Sequence, residues 1–240
     1  NALITGNYLA NHSAWSSFRG DGIFLHAGED VRITNNTIVN SGDGIRVWSA
    51  QNLTVAGNTV ADDAPGFGEG VLVVDSENVT IRNNNVFWQR IGIEVVRSAD
   101  VLIAGNEVSS GPPWDDVGLR AIRSTNVTVT RNSFSYREGI RFLVMAGARV
   151  FHNAVAAREL HAADDRGPEN TWDNGYPSGG NFWDTHDLTD VYSGPAQDQP
   201  GADGIADHAL VIHAAAGAID RYPLAAPVVP HNTPPVIARR

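Results

Sequence analysis

Six glycines, Gly22, Gly44, Gly70, Gly92, Gly118 and Gly139, are each followed 14 residues later by an asparagine: Asn36, Asn58, Asn84, Asn106, Asn132 and Asn153. One spacing kept six times within 240 residues is a structural period, and repeats of about 20 to 50 residues mark stacked architectures. The first and third positions after each glycine are nearly all apolar, as in Ile23 and Leu25, Ile45 and Val47, or Ile93 and Val95. A second alternating pair falls 9 and 11 positions after the glycine, for example Val31 and Ile33 or Leu53 and Val55. A third apolar position follows the asparagine by two, from Ile38 and Val60 to Phe134 and Val155. Alternation at period two is strand, so each unit carries three short strands. The residues between are mostly polar (Arg46, Thr54, Glu94, Arg120), so one side of each strand is wet and the other is core.

Three strands in units of 21 to 26 residues, with no helical stretch between them, cannot pair as hairpins and leave every unit equivalent. Each can pair with its counterpart in the next unit. The predicted fold is therefore all-β: a right-handed single-stranded parallel β-helix, or solenoid, of about seven turns, with equivalent positions about 4.8 Å apart. Asparagine tolerates the left-handed or bridge backbone of a corner, and stacked side-chain amides bond from turn to turn. The repeat thus predicts an asparagine ladder, a second ladder at Asp30, Asn52, Asn78, Asp100 and Asn126, and a third corner at the glycines.

The turns are expected over residues 1–158, with 1–21 reading as the tail of a preceding turn, as in a segment of a longer protein. Residues 159–224 lose the period and are loop-rich, aromatic and acidic, which suits a cap packed on the open end of a stack. Residues 225–240 are Pro-rich and read as a linker to further modules of the same chain. A formal net charge of -10 argues against nucleic acid and leaves cations and neutral sugars as ligands. The absence of cysteine removes disulfides, thiolate nucleophiles and Cys-based zinc sites. No apolar stretch reaches 18 residues, so no membrane insertion is expected in this segment.

With these residues in view the chain resembles the NosD-like right-handed parallel β-helix proteins, within the group of carbohydrate-binding and sugar-hydrolase β-helices. The repeat carries the resemblance over roughly residues 1–224, and the stretch "WDNGYPSGGNFWD" from Trp172 to Asp184 looks like the end of NosD-like surface proteins of archaea and bacteria. The resemblance implies an extracellular, cell-surface or periplasmic location. It implies the fold more firmly than the function, because lyases, epimerases, glycosidases and adhesins share the repeat. Members of the family are linked to copper delivery to nitrous oxide reductase. Copper sites want His, Met or Cys at close spacing, whereas the eight histidines here are scattered beside one methionine, Met145. His26, His152 and His161 are the ones that stacking could bring near one another.

Two places outside the repeat carry candidate chemistry. Longer connections recur on alternate turns at 10–20, 61–69 and 109–117, and they hold Trp15, Phe18, Phe67 and Trp114 as expected sugar-binding aromatics. Beside these stand Asp62, Asp63, Asp115 and Asp116, the candidate acid, base or nucleophile if the chain is a polysaccharide lyase, epimerase or glycosidase. The competing expectation is a non-enzymatic module that displays a surface to carbohydrate or a cell-surface component. The second place is the acidic cap, where Asp187, Asp190, Asp198, Asp203 and Asp207 around Gly201 and Gly204 are the candidate ligands of a structural calcium ion. Turn formation by the same aspartates is the simpler expectation, and no organic cofactor is expected. Arg46, Arg120 and Arg141 share an outward column with Glu94, none clearly paired with an acidic cluster, and the column reads as a solvated face. Within residues 42–58, once corners, core and ladder are assigned, Arg46 and Trp48 are left for another role.

Overall fold

A computed structural model of the protein describes residues 1–10, 20–61, 68–110, 116–166 and 169–228. The chain coils into a parallel β-solenoid of about six turns. The first face begins at each repeat glycine, and its inward register runs Ile23, Ile45, Val71, Ile93, Leu119, Ile140 and Ala162, every pair parallel. The second face stacks Ile4, Ile33, Val55, Ile81, Ile103, Val129 and Val150. The third stacks Leu9, Ile38, Val60, Val86, Val108, Phe134, Val155 and Trp183. These side chains form one continuous buried core, and it grows aromatic toward the C-terminal end through Phe134, Tyr136, Phe142, Trp172 and Trp183. Some strands bend around a corner without interruption, as in Ile23–Thr34 and Ile45–Ala56, so two faces share one strand.

The asparagine ladder is continuous. In each turn Nδ2 donates to Oδ1 of the next, from Asn7 through Asn36, Asn58, Asn84, Asn106, Asn132 and Asn153 to Asn181, at 2.8 to 3.0 Å. Each receiving Oδ1 also accepts the backbone N–H of the preceding turn's asparagine. Asparagine is needed here because a buried donor and a buried acceptor must be satisfied in the same place at every turn. Of the left-handed and bridge conformations expected at the corner, the ladder residues do not take the left-handed one. The residue just before each of the first seven takes the positive φ: Gly6, Asn35, Gly57, Asn83, Gly105, Arg131 and His152. That neighbour makes the bend, which frees the ladder side chain to point inward along the stack. The outer ladder residues Asp30, Asn52, Asn78, Asp100 and Asn126 do adopt positive φ. Their amides donate the other way, from Asn52 to Asp30, Asn78 to Asn52 and Asn126 to Asp100.

At the third corner the glycines are required by close approach. A Cβ on Gly44 would lie 2.2 Å from Val60 Cγ1 and 2.6 Å from the Gly70 carbonyl oxygen.

Rungs continue past residue 158, where the sequence period fades. Ala154–Asp164 supplies another first-face rung, Thr171 bridges to Arg149 on the second face, and Phe182–Trp183 completes the third. The period is hidden there because Trp172 and Trp183 stand where earlier turns have aliphatic residues. Two buried carboxylates hold them: Asp164 accepts the indole N–H of Trp172 at 2.9 Å and Asp220 that of Trp183 at 2.9 Å. Asp220 also accepts the backbone N–H of Asn181 at 2.8 Å, so it terminates the ladder. Beyond the last rung lie two small antiparallel pairs, Tyr192–Ser193 with Gln199–Pro200 and Leu210–His213 with Ala218–Asp220. No helix among the described residues is long and apolar enough to cross a membrane.

Candidate functional site

Among the described residues, the outward positions of the first face gather aromatic, acidic and basic side chains together. Two and four residues after the repeat glycine, the first three turns present Phe24 and His26, then Arg46 and Trp48, then Leu72 and Val74, in direct register. Phe24 and Trp48 are 54% and 41% exposed, which is unusual for rings of this size in a regular strand. Their centroids are 6.1 Å apart at 81°, and His26 lies 6.5 Å from Phe24 and 6.4 Å from Trp48. The three rings frame an open angle. Strand alternation aims them away from the core, so they shield no interior.

Beside this angle runs a column of acids at the position before the glycine. Arg46 Nε donates to Asp43 Oδ2 at 2.7 Å, and its Nη1 lies 3.5 Å from Asp21. Asp43 Oδ1 accepts the Glu69 backbone N–H at 3.0 Å. Burial, a side-chain hydrogen bond with Asp43 and the nearby charges of Asp43 and Glu94 push the Glu69 carboxyl up to about 7, against the pull of Arg90. Burial likewise raises Asp21. Further along the face Arg90 pairs with Glu69, Arg120 grips Glu94 through two bonds of 2.8 and 3.0 Å, and Arg141 pairs with Glu138. The three column arginines are thus all partnered, which corrects the sequence expectation. Arg46 and Arg141 take the acid three positions back, a spacing open to view in the sequence, whereas Arg120 takes Glu94 from the preceding turn, a proximity that only the register of the turns creates.

Other predicted residues fall elsewhere. Trp15, Phe18, Phe67, Trp114, Asp62, Asp63 and Asp115 lie outside the described residues. Asp116 is described and binds the Arg137 guanidinium at 2.5 Å. In the cap, Asp190 accepts the N–H groups of Asp203 and Gly204, and Asp203 those of Gly194 and Ile205. Asp207 accepts from Val191 and Tyr192, and Asp187 from Thr189. Those carboxylates tie turns together, and Asp198 stands in the same loop. Among the described residues no group of three or more His, Cys, Asp or Glu is placed to hold a metal ion, so the calcium expectation gains no support. A shallow groove of about 700 Å³ on the second face, lined by Asp30, Arg32, Asn52, Thr54 and Asn78 among others, has no aromatic side chain.

The family described as periplasmic copper-binding protein (NosD) matches residues 1–188. The chain belongs to the NosD family. No curated protein and no solved structure matches it. A copper site is not formed by the described residues of this NosD protein. Met145 is fully buried in the core. His26 sits on the first face and His161 on the same face six rungs away, about 29 Å by stacking distance, so stacking does not gather the histidines. His152 is bound to the Ser178 carbonyl oxygen, His161 to Asp184, His186 to the His208 carbonyl oxygen and His213 to the Asp164 carbonyl oxygen. His12 and His231 lie outside the described residues.

The sequence signalled part of this site. Trp48 and Arg46 stand out within one unit. Phe24 is not among the expected residues and His26 is named there only for stacking with other histidines, although their aromatic character at the same two outward positions one turn earlier is the readable signal.

Proposed function

We propose that this NosD-family module is a non-catalytic binding scaffold of the periplasm or cell exterior, and that its ligand is a carbohydrate chain lying along the first face. The observation that carries the proposal is the run of charge pairs along one face of the stack. Arg46 with Asp43, Arg90 with Glu69, Arg120 with Glu94 and Arg141 with Glu138 repeat along the stack as fixed donors and acceptors. A rigid row of that kind suits an elongated, hydroxyl-rich polymer, because both partners of each pair offer bonds without reorganising.

The arrangement speaks against glycoside cleavage by these acids. Asp43 and Glu69 are close enough to hydrogen-bond to each other, nearer than the roughly 5 to 9.5 Å that separates the two carboxyls of a glycosidase. Glu94 is held by both arms of Arg120. A second reading, a NosD-type accessory protein for metalloenzyme maturation, is favoured by the family match. In that role the scaffold would contribute a docking surface, since its described side chains do not fit copper.

Binding to an array of purified polysaccharides tests the proposal, with Arg120→Ala and Arg141→Ala as variants. The expected result is retention of at least one polymer by the parent chain and at least tenfold weaker retention by the double variant. No retained polymer, or equal retention by parent and variant, overturns it.

A further inference from the structure

We infer that Phe24, His26 and Trp48 form an anchoring subsite for one uncharged pyranose ring. The inference rests on the reading of the first face as a carbohydrate surface and adds where the chain is gripped and what kind of sugar is taken.

The geometry is that of a small, cornered apolar floor. Phe24, Arg46 and Leu72 form one outward column and His26, Trp48 and Val74 the other. Columns two residues apart on a strand are separated by about 7 Å and successive turns by about 4.8 Å, so the six positions cover about 7 by 10 Å. That area matches one six-membered ring. A stable protein partner needs roughly 800 Å² from each side, far more than this floor offers. A pyranose has apolar C–H faces and a hydroxyl rim. One face can lie on an aromatic ring while the rim stays wet, which suits two rings set at 81° to each other.

The rim is provided for on one side only. Arg46 rises from the middle of the floor and turns its guanidinium to Asp43 and Asp21, leaving its carbon stem among the rings. Its charge is matched by two carboxylates, and beyond it Glu69 is paired with Arg90 and Glu94 with Arg120, so four carboxylates face three guanidiniums. The local field is therefore negative. A uronate or sulfated ring would enter against it, whereas a neutral ring finds acceptors for its hydroxyl protons. Phe24 and Trp48 each keep a solvent-facing side that the apolar face of a sugar would cover.

The test is titration of the whole chain with soluble neutral polysaccharides (glucan, mannan and galactan) and with polygalacturonate. It is repeated for Phe24→Ala, Trp48→Ala and Trp48→Phe, with melting temperatures recorded alongside. One neutral polymer is expected to bind, with affinity reduced at least tenfold by Trp48→Ala, largely kept by Trp48→Phe, and with melting temperatures little changed. Binding unaffected by both alanine variants but lost in Arg120→Ala overturns the subsite and leaves the face reading standing. Binding of polygalacturonate in preference to every neutral polymer overturns the assignment of ligand charge. Failure of all polymers to bind overturns the subsite together with the reading beneath it.

Discussion

Glu69 and Asp43 belong to different turns and meet only because the solenoid stacks them. In the unfolded chain Glu69 would titrate near its usual 4.5, whereas burial, then the hydrogen bond and charge of Asp43, carry it to about 7. The folded value lies above the unfolded one, so folding favours the protonated form. Its contribution is full below about pH 4.5 and is lost as pH rises through about 7. Glu69→Gln, which stays neutral, is expected to melt higher than the parent at pH 8 and close to it at pH 5; melting curves at the two values decide, and an unchanged pH 5 to pH 8 difference refutes the pairing. The inner ladder makes a second demand at this scale. Asn106 Oδ1 receives both the backbone N–H and Nδ2 of Asn84, and its own Nδ2 donates to Asn132. Asn106→Ala strands buried groups on both neighbours, each costing about 1 to 3 kcal/mol. Denaturant unfolding should register a loss of about 2 kcal/mol or more.

The rung is the working element, and its tightest point is the glycine corner. A Cβ on Gly92 would stand 2.1 Å from Val108 Cγ1 and 2.6 Å from the Gly118 carbonyl oxygen, so Gly92→Ala has to push two faces and two turns apart. Overpacking of that kind typically costs about 1 to 3 kcal/mol. Faster amide exchange in the rungs around Ile93 and Leu119, with the distant Ile33 rung unaffected, is the expected signature. This period is also why the fold was legible in the sequence. Glycine, alternating aliphatic residues and asparagine are each dictated by contacts that recur identically, so six copies spell out one turn. The site was less legible because outward positions obey no such rule. Arg46 and Trp48 draw the eye in one unit, and Asp43 three residues back is readable there, yet Asp21 and the angle made with Phe24 come from the preceding turn. Continuation past residue 158 was hidden for the complementary reason: Trp172 and Trp183 fill core positions with residues that the earlier period does not contain.

At the scale of the whole molecule each turn touches only its neighbours, so stability is close to a sum of rungs and interfaces, and the ends decide where unfolding starts. Asp220 is the closing group of the C-terminal end. All seven ladder links pass a donor toward it, and a carboxylate, which accepts without needing to donate, is the residue type that can end such a series. Its Oδ2 takes the Asn181 N–H and the Trp183 indole N–H, and its Oδ1 takes the Tyr222 N–H. Burial raises its carboxyl to about 7 while those donors pull it down. The folded value again exceeds the usual 3.8, so the stability tied to its proton is held below about pH 4 and lost as pH passes about 7. Asp220→Ala leaves the donors of Asn181 and Trp183 buried and unmet, and amide exchange in Phe182–Trp183 and Ala154–Asp164 should accelerate well before that in Ile23–Thr34. Asp220→Asn keeps an oxygen for the first two donors but cannot ionise, so it should retain most of the protection and lose the pH dependence of those two rungs between pH 5 and pH 8. Uniform acceleration along the solenoid in Asp220→Ala would show that the stack unfolds as one cooperative unit, with no weaker end for Asp220 to close.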